Sequence, residues 1–397
     1  MTRTEDRLTD ALHAAARSVR EETLHPLIVP VPAPPRWGRR LAPIAAAAAV
    51  ALIAVLALIL PGAGKVPPAN HGPVAGPPHY YVVDQDYHVV VRQTGTGAIT
   101  ASLPNPFPRA PFGGMRADGV AAIDDREFIA AYSGTTTPQS ATDQTRLYTF
   151  TVTPAGHVTG LALIRGGVLR GFDVDGAIAI SPDGSRAALA VCKEGPPSLT
   201  FNCGQVEIMV INLRTGGHEV WTSGRLQRPG FYLDVPSISW AGGESLVFLG
   251  QWCQASVVGG FCASGAHDGQ VRTLDLASGG GSLSQGKVLL KQSARYPFIV
   301  QAQLDPGGTS ITIEVLRGPF VGPARQPSIN QVIQVSLAAG GRSRLLYHGP
   351  IGNSVGVSLS SDASGRFWLL SSGWAGWLDH GKLHLLEPRD GAIMDAW

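Results

Sequence analysis

The stretch Ala177-Ile178-Ala179-Ile180-Ser181-Pro182-Asp183-Gly184-Ser185-Arg186-Ala187-Ala188-Leu189-Ala190-Val191 decides how this chain reads. Apolar runs with strand periodicity flank Pro-Asp-Gly, a sequence suited to a tight turn, so the stretch predicts a β-hairpin. Similar units follow: residues 237–250 around Gly242-Gly243, residues 300–315 around Pro306-Gly307-Gly308, and residues 355–371 around Asp362 to Gly365, with a fainter copy at Asp124-Asp125. Taking Asp183, Gly243, Gly307 and Asp362 as equivalent points gives spacings of 60, 64 and 55 residues. These exceed the usual propeller repeat of about 40 to 50, and inserted loops account for the excess.

Each unit is followed by a second hairpin. Residues 206–221 turn at Thr215-Gly216-Gly217, residues 271–290 at a Gly-Ser stretch, and residues 331–347 at Gly340-Gly341. Every repeat then supplies four strands, and four-stranded sheets repeated radially make a β-propeller, which hides most strand edges and buries apolar side chains between neighbours. With the partial first unit at residues 80–103, the expected fold is an all-β propeller of six blades, seven being left open.

Composition agrees. Gly 49 and Pro 30 beside 44% hydrophobic residues describe many turns between short apolar runs, and only 15% of the chain is charged. Residues 1–40 hold seven Arg against five acids, which leaves 24 basic and 24 acidic residues in the remainder. That neutral balance lacks the basic footprint of a nucleic-acid-binding protein.

Residues 41–60 contain no charged or polar side chain, and at about 1.5 Å per residue such a run spans the hydrocarbon core as a helix. Arg36, Arg39 and Arg40 precede it and only Lys65 follows closely, which predicts a cytoplasmic N-terminus. Some 40 residues precede the run, far more than an ordinary signal-peptide n-region, so an uncleaved anchor is preferred. The predicted organisation is a tail at 1–40, a transmembrane helix at 41–61, a Pro/Gly-rich linker at 62–78 and an extracytoplasmic propeller at 79–397. Within the tail, Thr2-Arg3-Thr4-Glu5 has capping-box spacing, and Leu8, Leu12, Ala15, Ala16 and Val19 form one narrow apolar stripe. Such a helix either meets a cytoplasmic partner through residues 1–24 or is a solvated tail that only sets topology.

The turn Ser181-Pro182-Asp183-Gly184-Ser185-Arg186 resembles the blade signature of TolB-like and WD40-like propellers. The likeness extends over residues 79–390, with this blade alone matching well. The layout of tail, Ala-rich anchor and propeller looks like that of actinobacterial membrane-anchored propeller proteins, some of which accompany sigma factors. This resemblance implies a sensing or regulatory role. The tail has no Cys, so it cannot hold the zinc of a zinc-type anti-sigma domain.

The four cysteines, Cys192, Cys203, Cys253 and Cys262, all lie on the side assigned as extracytoplasmic, where disulfides persist. Cys192 with Cys203 and Cys253 with Cys262 would staple equivalent loops. Cross-pairing between blades stays open, and no Cys-x-x-Cys spacing suggests zinc. The connections between second and third strands are long, at residues 133–144, 193–204, 251–269 and 317–330, which elaborates one face. Phe201, Trp252 and Phe261 in them are candidate binding aromatics, or else pack their own loops. An unknown envelope protein or ligand is the expected partner of that face, with no cofactor.

Catalytic motifs are weak. Gly352-Asn353-Ser354-Val355-Gly356 fits the nucleophile-elbow pattern, but a strand instead of a helix is expected to follow it. Asp173-x-Asp175-Gly176 begins like a calcium loop without its remaining ligands and is read as a turn. His79, His88 and His267 have no metal spacing. Binding or sensing is therefore expected in place of catalysis, with an envelope structural component as the alternative and a lyase or glycosidase propeller as an outsider.

Overall fold

The computed structural model describes residues 77–85, 88–104, 106, 116–134, 144–193, 205–224, 231–254, 267–317, 329–338, 341–350, 358–362, 366–371, 375–379, 382–386 and 392–396. The predicted tail, membrane helix and all of the linker except Pro77 and Pro78 lie outside these residues, as do Phe201, Cys203, Phe261, Cys262 and the motif at 352–356. Among the described residues no helix is long and apolar enough to cross a membrane.

Twenty-five described strands form six sheets. Blade 1 contains β1 (Tyr80–Gln85), β2 (His88–Gln93) and β3 (Ile99–Ser102). Blade 2 is β4 (Arg116–Ala122), β5 (Glu127–Gly134), β6 (Gln144–Val152) and β7 (Val158–Arg170). Blade 3 follows as β8 (Phe172–Ile180), β9 (Arg186–Cys192), β10 (Val206–Asn212) and β11 (His218–Thr222). Blade 4 comprises β12 (Phe231–Trp240), β13 (Ser245–Gln254), β14 (His267–Asp275) and, beyond the short β15 (Gly281–Ser282), β16 (Lys287–Lys291). Blade 5 is β17 (Ile299–Leu304), β18 (Ser310–Arg317), β19 (Ile329–Ser336) and β20 (Ser343–Pro350). Blade 6 is β21 (Ser358–Ser361), β22 (Phe367–Ser371), β23 (Ala375–Asp379) and β24 (Lys382–Leu385), and the chain ends with β25 (Ala392–Ala396).

The ring closes on itself. β25 pairs antiparallel with β1, Val83 opposite Asp395, so the last strand supplies the innermost strand of the first blade. The innermost strands β25, β4, β8, β12, β17 and β21 contact one another in that cyclic order. This is a six-bladed β-propeller, as the repeat predicts.

One apolar core fills each gap between blades. Val91 and Phe128 belong to the core of blades 1 and 2, Leu147 and Leu189 to that of blades 2 and 3, and Trp221 and Phe248 to that of blades 3 and 4. Leu249 with Ile313, Val332 with Trp368, and Tyr81 with Leu369 continue the series round to blade 1. A middle strand is therefore covered on both faces. That is why β9, Arg-Ala-Ala-Leu-Ala-Val-Cys, is buried almost end to end and loses the alternation of a half-exposed strand.

In blades 3, 5 and 6 the turns between first and second strands follow one hydrogen-bond scheme, while those of blades 2 and 4 close one residue shorter, Ile123 to Glu127 and Ala241 to Ser245. In blade 3 the Ser181 N–H donates to the Arg186 carbonyl (2.8 Å), the Gly184 N–H to the Ser181 carbonyl (2.8 Å), and Ser181 Oγ accepts from the Arg186 N–H (2.9 Å). Gly184 sits at φ +68°, which a side chain would strain. Asp183 accepts from the Ser185 N–H (3.1 Å) and from Ser181 Oγ (2.6 Å); these bonds, the Ser181 one foremost, hold its carboxyl below the usual range against a smaller opposing effect of burial. In blade 5 the Asp305 N–H donates to the Ser310 carbonyl and the Gly308 N–H to the Asp305 carbonyl, so Gly307 does match Asp183. In blade 6 the Asp362 N–H donates to the Phe367 carbonyl and Asp362 Oδ1 accepts from the Phe367 N–H. Asp362 therefore occupies the place of Ser181, two positions earlier than the sequence alignment put it. A carboxylate can replace the Ser hydroxyl as acceptor, and sequence matching on Asp alone cannot tell the two positions apart.

Candidate functional site

Antiparallel strands alternate in direction, so the turns within hairpins 1–2 and 3–4 of each blade emerge on one face. Connections between second and third strands, and between blades, emerge on the other. On this second face the strand ends leave residues 135–143, 193–205, 255–266 and 318–328 as connections in blades 2 to 5, against residues 86–87 and 372–374 in blades 1 and 6. The predicted elaborated face exists in position, and it belongs to four consecutive blades; the connections themselves, apart from Lys193 and Gln205, lie outside the described residues.

The roots of these connections are well tied. In blade 2 the buried hydroxyls of Ser133 and Thr145 lie 2.9 Å apart, and Thr145 donates to the Gly171 carbonyl (3.0 Å), so Ser133 must be the donor to Thr145. Gly171, at φ +107°, is the single residue between β7 and β8, and a Cβ there would collide with the Cys192 carbonyl. In blade 3 the Lys193 N–H donates to the Gln205 carbonyl (2.9 Å), and Lys193 Nζ lies 3.3 Å from Glu207 Oε2. Cys192 and Cys253 are buried near the ends of β9 and β13, and both are disulfide-bonded. Trp252 is half-buried against the core of blades 3 and 4, so its apolar area is used in packing.

Inside the ring, five of the six innermost strands break register at a common level. The breaks fall at Ala117/Gly119 in β4, Asp173/Ile178 in β8, Asp234/Ser237 in β12, Ile299/Gln301 in β17, and opposite Asp84/Gln85 in β25. Their partners can be aligned through one recurring bond, in which Thr94, Val152, Leu213, Leu276 and Leu337 donate to the carbonyls of His79, Arg126, Ser185, Glu244 and Thr309. Counted from the residue after each carbonyl, every break spans the interval between the fifth and sixth residues of the second strand. Bulges re-aim a strand and end regular pairing, which here happens towards the elaborated face.

Asp118, Asp173, Asp175, Asp234 and Asp395 sit on four of these six strands, at or within two residues of the breaks. Asp173-x-Asp175-Gly176 is thus part of an innermost strand, correcting its reading as a turn. The signal was present in Arg-Ala-Asp, Phe-Asp-Val-Asp, Tyr-Leu-Asp and Met-Asp-Ala, but without the ring these look like four unrelated stretches with five surface acids. Below the breaks, side chains stitch β12 to β17: Ser237 and Ser239 accept from the Ala302 and Leu304 N–H groups (3.0 and 2.9 Å), and Gln301 donates to the Pro236 carbonyl (3.2 Å).

The opposite face is closed by short turns with one exception. Residues 276–286, two single 3-10 turns and β15, form a strap that leaves blade 4 and pairs parallel with β11 of blade 3, Trp221 opposite Gly281. Arg272 holds its base by donating to the Ser284 and Gly286 carbonyls (3.0 and 3.1 Å). No group of three or more His, Cys, Asp or Glu able to hold a metal occurs among the described residues.

No family model matches the chain, and no curated protein matches it. Among solved structures, a putative TolB from Agrobacterium tumefaciens shares 12% identity over 79% of this chain and 90% of its own, with a TM-score of 0.42. The Cps50 (Swd1) β-propeller domain of Myceliophteria thermophila shares 12% over 81% and 86% respectively, at a TM-score of 0.41. An acylaminoacyl peptidase of Pyrococcus horikoshii shares 12% over 70% of this chain and 39% of its own, at 0.38. These likenesses concern the fold alone. The propeller itself rests on the strand pairing above.

Proposed function

We propose that this protein is a membrane-anchored, extracytoplasmic binding or sensing propeller that works by protein–protein interaction, its N-terminal tail relaying or localising the signal inside the cell. The observation that carries the reading is the asymmetry of the two faces: four consecutive blades extend long connections from tied roots, while the other face, apart from the strap of blade 4, is closed by short turns. Long connections on a rigid scaffold are where recognition concentrates. The uncharged run at 41–60 and the Arg residues before it support the anchor and its orientation. We assign the disulfides to Cys192–Cys203 and Cys253–Cys262, which would brace two of the connections, and Phe201 and Phe261 to the contact surface.

Crosslinking in intact cells, read by mass spectrometry, tests this with the full chain and with a form lacking residues 2–36. The expected result is an extracytoplasmic partner crosslinked through 194–204 or 255–266 in both forms and a cytoplasmic partner lost on deletion. Extracytoplasmic partners alone, unchanged by the deletion, would remove the regulatory role and leave an envelope component.

A further inference from the structure

The outer rim of blades 4 and 5 carries a local excess of positive charge in a chain whose propeller region is neutral overall. Across residues 281–350 the two acids are Asp305 and Glu314, and both are buried. Lys287, Lys291, Arg295, Arg342 and Arg344 are exposed. The chain brings part of this set together across the blade boundary: Arg295, on the connection from β16 to β17, donates to Ser343 Oγ at the start of β20, and Ser343 stands between Arg342 and Arg344 in sequence. Among the described residues no carboxylate pairs with Arg342 or Arg344.

β20 is also an edge. It is the outermost of the four strands of its sheet, eight residues long, with Leu345 53% exposed and His348 exposed near its far end. Charged residues on edge strands commonly serve only to prevent sheets from joining. That account does not explain the concentration here, because the edge strand β3 has no charged residue at all. The molecule itself shows what an outer edge accepts: β15 adds to β11 as a short extra strand.

We propose that the β20 edge is a second docking surface, distinct from the long-connection face, that takes an extended acidic segment of a partner protein by strand addition. Backbone hydrogen bonds along β20 would supply affinity, Leu345 an apolar contact, and Arg295, Arg342 and Arg344 selection for carboxylates and rapid encounter.

The test is fluorescence anisotropy on the detergent-solubilised full chain, with a labelled octapeptide of alternating Glu and Val. Saturable binding is expected, weakening as salt rises and falling at least about tenfold in Arg342→Glu/Arg344→Glu, with Arg126→Glu on the turn face as a neutral control. A peptide of the same composition with a central Pro, which cannot continue strand pairing, should bind several-fold more weakly. Equal affinity of the double variant, or equal binding of the Pro peptide, overturns the proposal. So does binding of phosphatidylglycerol vesicles, sensitive to the double variant, in the absence of peptide binding. Should the double variant lose its far-UV circular dichroism, Arg344→Gln alone, expected to weaken binding severalfold, decides.

Discussion

The boundary between blades 3 and 4 and the boundary between blades 5 and 6 solve one packing problem in different ways. Between blades 3 and 4, Trp221, Trp240 and Phe248 are buried with aliphatic neighbours, and the strap adds Leu276 and Leu283 from outside. Arg186 crosses the same boundary to the Gly243 carbonyl and lies 5.0 Å above the Trp240 ring, whose Nε1 donates to the Ala179 carbonyl (3.2 Å). On the other boundary Val332, Leu359, Trp368 and Leu378 form the described apolar core, and polar side chains share the inner face of blade 5. Asp305 there accepts from Ser310 Oγ, from Thr312 Oγ1 (2.9 Å) and from Gln334 Nε2 (2.5 Å), while Gln303 donates to Ser361 Oγ of blade 6 (3.1 Å). A propeller can thus close through apolar area at one boundary and with a share of polar contacts at another, because each boundary is packed almost independently of the rest.

The largest effect expected of a single change is at the apolar boundary. Trp221→Ala empties a site that is 1% exposed and removes the strap's main contact, so a loss of about 3–5 kcal/mol is expected in urea unfolding. A loss under about 1 kcal/mol would mean that the strap and blade collapse into the space, and the contrast between boundaries would fail. Asp305→Ala comes next. It leaves the Thr312 hydroxyl and the Gln334 amide without their acceptor, for a loss of about 2–3 kcal/mol, and Asp305→Asn should recover part of it.

The smallest effect sharpens the polar side. Burial, and then the negative charge of Glu314, raise the Tyr347 phenol above its ordinary value, since both disfavour the phenolate. Glu314→Gln removes only the second influence. The Tyr347 titration, followed by NMR, should therefore move down while staying above that ordinary value; no movement would place Glu314 outside electrical reach of the phenol.

The turn at residues 181–186 was legible because its Pro, Asp and Gly each meet a local demand, and the second hairpins were legible from their glycines. The turn at 362 was misaligned by two residues because Ser181, Asp305 and Asp362 perform one task with different side chains. The elaborated face could be located by loop length alone. Its inner boundary could not, since Asp118, Asp173, Asp175, Asp234 and Asp395 are separated by up to 277 residues and share a level only after the ring has closed.

What the amino-acid sequence determined by itself is the series of hairpins, because strand period and turn chemistry act over a few residues. Tertiary structure alone decided that β25 completes the blade begun by β1, that the strap of blade 4 covers the edge of blade 3, and that five of the innermost strands bulge at one height. Each depends on which distant edges meet when the cores between blades are packed, and no local pattern encodes that choice.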